Sequence, residues 1–101
     1  MNQKIKVSVI IPNYNYGRYI SQSIYSVIKS DFNKNEIELL VVDDASTDNS
    51  VEVIEGIIKK EDFPIRLIKN KSNSGLGRTR NNGIKEAKGD FLFFLDSDNS
   101  L

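Results

Sequence analysis

Val7-Ser8-Val9-Ile10-Ile11, running directly into Pro12-Asn13-Tyr14-Asn15-Tyr16-Gly17, is the stretch on which the fold turns. A short run dominated by β-branched residues and closed by a polar, turn-prone loop reads as a strand. It is nearly continuous rather than alternating, as expected of a parallel strand buried on both faces. Three further runs read as strands: Ile37–Val42 (IELLVV), Ile65–Ile68 (IRLI) and Phe91–Leu95 (FLFFL), of which the first and last share the nearly continuous pattern.

Between these runs the apolar spacing changes to that of helices. Tyr19–Ser30 carries Ile20, Ile24, Val27 and Ile28 on one stripe, and Asn49–Lys60 carries Val51, Ile54, Ile57 and Ile58. Leu76–Lys88 has a weaker stripe of Leu76, Thr79, Gly83, Ile84 and Ala87, whose small members allow close approach to a sheet. Asp48 or Asn49 is the expected cap of the second helix, and Gly89 the expected C′ residue of the third. The order βαβαβαβ implies an α/β fold: a parallel sheet with right-handed crossovers and flanking helices. Pro64 and Arg66 mark the third strand as an edge, which gives the strand order 3-2-1-4 of a Rossmann-like half-domain. One domain over residues 1–101 is expected. The most apolar run, Phe91–Leu95, suits a sheet interior rather than an open edge. The expectation is therefore a piece of a larger protein that self-associates through residues 91–95.

Composition narrows the function. Fourteen Lys and Arg balance fourteen Asp and Glu, which argues against a nucleic-acid or polybasic membrane-binding module. The chain has no cysteine and no histidine, so thiolate chemistry, a Ser-His-Asp triad and imidazole-ligated metals are excluded. Any metal must sit on oxygen ligands, favouring Mg, Mn or Ca. No apolar run approaches the ~20 residues of a membrane span, and Val7–Ile11 is too short for a signal peptide. A cytoplasmic location is the expectation, with the inner face of the membrane open to the full-length protein.

Ligands of open parallel sheets bind beyond the carboxyl ends of the strands. Asp43, Asp44, Asp48, Asp96 and Asp98 all fall there. Such crowding raises the pKa of neighbouring acids unless a cation or hydrogen-bond donors offset it. Asp96 and Asp98 leave their strand on the same side and together suit a divalent ion gripping a diphosphate. Asp44 can accept a hydrogen bond from a ring N–H such as the imide of uracil, with Tyr14 stacked on the same ring. Equally, Asp44 can be a turn residue and Tyr14 a surface aromatic.

Four segments occur in order: VSVIIPNYN (7–15), VVDDASTDNS (41–50), N-x-G-x-x-x-x-R-N-x-G (73–83) and GDFLFFLDSD (89–98). Together they resemble the nucleotide-sugar half of family 2 inverting glycosyltransferases, which have the GT-A fold. The resemblance runs from Lys6 to Asp98. It implies that Pro12 and Tyr14 lie against a nucleotide base, that Asp44 reads uracil, and that Asp43 shares its pocket. It implies a D-x-D pair in Asp96, near the ribose, and Asp98, on the Mn or Mg of the diphosphate. Arg80 matches an Arg-Asn pair with Asn81, and can equally partner the acids of 43–48. Thr79 stands where relatives usually have Ala. The implied activity is transfer of a sugar, with inversion, from a nucleoside-diphosphate sugar (UDP favoured) to an acceptor hydroxyl of a glycan, lipid or protein. In such enzymes the general base lies downstream of the D-x-D motif, so none is assigned, and this piece is expected to bind nucleotide without turnover.

Other readings are weaker. Asp44-x-Ser46-x-Asp48-Asn49-x-Val51…Glu55 imitates a calcium loop but lacks its glycine and follows a strand. FLFFLDSDNS resembles the D-x-D strand end of haloacid-dehalogenase-type phosphatases, whose acid opens the domain instead of closing it. A non-catalytic α/β binding module, like a receiver domain, is the remaining alternative.

Overall fold

The two central strands are apolar along almost their whole length, and the sheet forms around them. In the computed structural model, which describes residues 4–97, β1 (Val7–Asn13) pairs in parallel with β2 (Ile37–Asp43) on one side and β4 (Phe91–Phe94) on the other. The edge strand β3 (Ile65–Lys69) pairs with β2, giving the order β3-β2-β1-β4. The strand order and the edge position of β3 are those expected. Strand β1 runs two residues past the apolar run, because Pro12 and Asn13 continue in register with Val42 and Asp43.

Helices α1 (Ile20–Ile28), α2 (Ser50–Lys60) and α3 (Leu76–Glu86) make the crossovers. The first two connections step outward from β1 and put α1 and α2 on one face. The third returns across the sheet to β4 and puts α3 on the other. Alternation along β1 and β2 splits the core accordingly. Val9, Ile11, Leu39 and Val41 pack with Ile20, Ile24, Val27, Ile54 and Ile57, while Ile10, Leu40 and Val42 form a smaller cluster on the opposite face. On α3 only Thr79 and Gly83 are buried; Leu76 and Ile84 are exposed, against the expected stripe. A Cβ on Gly83 would lie 2.6 Å from Ile10 Cγ2, so the close approach anticipated there is real.

The amino-terminal end of the sheet holds a buried polar network. Glu38, only 6% exposed, accepts hydrogen bonds from Ser8 Oγ (2.7 Å) and Lys88 N (2.6 Å), and Arg66 Nη2 lies 3.6 Å away. Gly89 N donates to Ser8 Oγ at 2.8 Å. This corrects the expected role of Gly89. Helix α3 has already ended, with Ala87 extended at its C-cap, and Gly89 is small because it lies against β1. At the opposite edge, Phe91 to Phe94 are all exposed, Phe91 by 70%.

Candidate functional site

The carboxyl ends of the strands bound an open cleft of about 550 Å³. Pro12 reaches it from the end of β1, Tyr14 and Tyr16 from the loop that follows, Asp44 from just beyond β2, and Asn73, Gly75 and Thr79 from the turn into α3 and its first residues. Asp96 and Ser97 close it from the segment after β4. The order in which strands are added reverses between β1 and β4, so the cleft sits at the topological switch point. Ser23 on α1 fixes the last segment, donating from Oγ to the carbonyl oxygens of Asp96 (3.2 Å) and Ser97 (2.7 Å).

Asp44 is 4% exposed and is both a cleft residue and the organiser of a loop. Its Oδ1 accepts from Asn70 Nδ2 (2.8 Å) and Ser74 N (2.7 Å), and its Oδ2 from Gly75 N (2.9 Å). Burial by itself would raise this carboxyl, but the donors Asn70, Ser74, Gly75 and Thr79 outweigh it and hold the group below its ordinary value. Asn82 Nδ2 supports Asn70 in turn, donating to its Oδ1 at 2.8 Å. A carboxylate offers about four acceptor positions. Asn70, Ser74 and Gly75 fill three of them; the Thr79 hydroxyl donates to the Gly75 carbonyl at 2.8 Å and lies near enough to favour the charged form.

The acids do not form a bare cluster. Asp43, 1% exposed, does not line the cleft, which corrects its expected place beside Asp44. Its carboxylate is turned into the joint between loops, accepting from Asn13 Nδ2 (2.9 Å), Ser46 Oγ (2.6 Å) and Ser46 N (2.9 Å). Asp48 holds the start of α2, accepting from Ser50 N at 2.9 Å and from Ser50 Oγ, and it also takes Gly17 N at 2.9 Å. Burial opposes the charge on Asp48, and these donors again prevail and lower its pKa. Asn49 occupies the N-cap position without a side-chain capping bond. Protein donors thus offset the repulsion among Asp43, Asp44 and Asp48. The segment 44–55 follows strand β2, where a helix-loop-helix calcium site would have a helix.

Arg80 pairs with Asp96 (Nη2 to Oδ1, 3.7 Å) rather than with the acids of 43–48, and its guanidinium lies 5.8 Å from the centroid of the Phe94 ring. It does not line the cleft. Asp98 lies outside the described residues. Among the described residues no three acids gather as a metal site. Tyr16, Asn70, Asn73 and Gly75 were not singled out from the sequence. Each falls in a loop that follows a strand, and Asn73 and Gly75 also open the 73–83 segment of the family resemblance.

Fold and cleft together define a doubly wound α/β domain with an open cleft where ligands of such sheets bind. More particularly, the chain belongs to glycosyl transferase family 2, whose model matches residues 8–101. It is 40% identical over 97 residues to the poly(ribitol-phosphate) beta-N-acetylglucosaminyltransferase TarS of Staphylococcus aureus (strain Mu50 / ATCC 700699), covering 96% of this chain and 17% of that protein. The crystal structure of S. aureus TarS 1-349 in complex with UDP-GlcNAc matches with a TM-score of 0.88 at 40% identity, over 95% of this chain and 27% of that one. The mannosyltransferase PcManGT from Pyrobaculum calidifontis, in complex with GDP-Man and Mn2+, matches with a TM-score of 0.91 over 96% of this chain and 28% of that one. At its 24% identity, that likeness speaks for the fold alone. The expected GT-A architecture is the one found, and the phosphatase and receiver readings fall away.

Proposed function

We propose that the protein transfers a sugar from a nucleoside-diphosphate sugar, with UDP favoured, to an acceptor hydroxyl, and that residues 1–101 form the donor-nucleotide half. The observation that carries this reading is Asp44: a charged carboxylate in the cleft it shares with Tyr14, with three of its acceptor positions filled by the protein. One remaining position suits one ring N–H, as uracil presents. Guanine offers two donors on the same edge and is expected to bind less well. The relative TarS, solved with UDP-GlcNAc, supports the uridine reading.

In the proposed reaction the acceptor oxygen bonds to the anomeric carbon as the bond to the diphosphate oxygen breaks, inverting that carbon. The acceptor's proton goes to a carboxylate base that is not assigned within this chain. Asp96 reaches the cleft and is half exposed. One or two carboxylates, with diphosphate and water completing the shell, suit Mg or Mn, and we assign that role to Asp96 and Asp98. A bound cation would neutralise charge developing on the leaving diphosphate. Pro12 and Tyr14 flank the base, and Arg80 acts through Asp96. A cytoplasmic location is part of the same proposal. As a separate matter, among the described residues no helix is long and apolar enough to cross a membrane.

Calorimetric titration of UDP, GDP and UDP with Mn tests the reading. UDP is expected to bind, more tightly with Mn than without, and more tightly than GDP. Asp98→Ala is expected to remove the Mn dependence while retaining nucleotide binding. Equal affinity of the parent for UDP and GDP would defeat the assignment of Asp44. The chain alone is expected to show no turnover of a UDP-sugar.

The uncovered residues Phe91 to Phe94 carry a second expectation, self-association along β4. Sedimentation velocity should show dimers or larger species rising with concentration, and Phe91→Lys with Phe93→Lys should abolish them. A mass that stays monomeric at all concentrations argues against it.

A further inference from the structure

The loop after β1 is fastened to the loop after β2 by one residue. Asn15 has φ of 58°, in the left-handed region that asparagine tolerates better than most residues. Its Oδ1 accepts from Thr47 N (2.8 Å) and Asp48 N (3.2 Å), and its Nδ2 donates to Thr47 Oγ1 at 3.3 Å. Its own backbone N–H donates to Ser46 Oγ at 2.9 Å. On the other side of Tyr14, Asn13 is held by strand pairing and by Asp43. Tyr14 is thus bracketed by two anchored neighbours. Among the described residues no hydrogen bond holds its own side chain, which is 42% exposed and lines the cleft.

We infer that Asn15 is a positioning residue: its clasp on Thr47 and Asp48 sets the Tyr14 ring at the stacking distance of the nucleotide base without touching the ligand. The inference rests on the proposed stacking role of Tyr14. A ring with no polar tether is placed by its backbone, and that backbone is fixed by the bonds of Asn15. Loosening the clasp lets the ring wander, and a wandering ring stacks poorly.

The test is a double-mutant cycle read by calorimetric titration of UDP into the 101-residue chain. Tyr14→Ala is expected to weaken UDP about tenfold, the scale of one base–aromatic stack. Asn15→Gly tolerates the left-handed backbone and removes only the clasp; a loss of about fivefold is expected. Asn15→Asp keeps the acceptor for the Thr47 and Asp48 N–H groups and should stay within about twofold of the parent. On the Tyr14→Ala background, Asn15→Gly should add less than about twofold, because the ring it positions is gone. Parent-like affinity in Asn15→Gly, or a loss that persists in full without the Tyr14 ring, overturns the inference. Undiminished binding by Tyr14→Ala overturns the stacking reading itself, and absence of UDP binding by the parent overturns both.

Discussion

Gly89→Ala is expected to lower the thermal midpoint of the chain by about 15 °C, corresponding to about 3 kcal/mol for a domain of this size. A Cβ at that position would lie 2.7 Å from Ser8 N, 2.8 Å from Ser8 Oγ and 2.8 Å from the Val7 carbonyl carbon. Two of those three atoms are backbone of β1, which is pinned between β2 and β4 and cannot yield. The segment 88–90 would have to lift instead. That would strain the bonds that Lys88 N and Gly89 N make to Glu38 and Ser8, leaving a buried carboxylate short of donors. Circular dichroism during heating measures the effect directly. A midpoint within about 3 °C of the parent would mean that the segment relocates freely.

Asp44→Asn is expected to cost both binding and stability, and the stability loss has a definite pH signature. The folded-state pKa of Asp44 is depressed below 3.8, so its ionised form stabilises the fold. That contribution is fully present above the ordinary value and disappears as pH falls through the folded pKa. The parent should therefore lose stability as pH drops below about 4, with Asp48 adding to the same slope. Asn70, Ser74 and Gly75 all present donors to this position. An amide offers them one oxygen, and its own NH₂ group faces a donor. The substitution should destabilise the fold by about 1–3 kcal/mol at pH 7, and the gap to the parent should narrow in acid. UDP affinity should fall at least about tenfold, since the uracil N–H loses its charged acceptor. Urea unfolding at a series of pH values, paired with titration at pH 7, separates the two effects. A constant gap between parent and variant from pH 7 to pH 3 would show that the carboxylate charge is not the stabilising element.

Much of the architecture was legible because burial on both faces leaves a plain mark. Ile37–Asp43 is buried throughout, and its sequence is almost unbroken by polar residues. Glu38 is the exception. A carboxylate inside such a strand looks like noise until the fold brings Ser8, Arg66 and Lys88 around it from distant positions. The extra length of β1 escaped notice for a related reason: Pro12 and Asn13 are polar or ring-closed, yet their backbones stay in register. At the site, Pro12, Tyr14, Asp44 and Asp96 were nameable from position and from family likeness, and all four line the cleft. The separation of Asp43 from Asp44 was not, because two adjacent acids at a strand end look alike in sequence. Only the pairing with Asn13 and Ser46 shows which one turns inward. Arg80 was likewise ambiguous until the fold placed it beside Asp96, in the segment after β4.

The polar knot of Ser8, Glu38 and Gly89 lies at one pole of the sheet and the cleft lies at the other. From Ser8 to Asn13 along β1 the rise is about 16 Å, beyond the roughly 7–10 Å within which substitutions usually influence each other. The molecule is therefore modular along its strands. Changes that toughen the scaffold at the lower pole can be combined with changes of ligand preference at the upper one, and their effects should simply add.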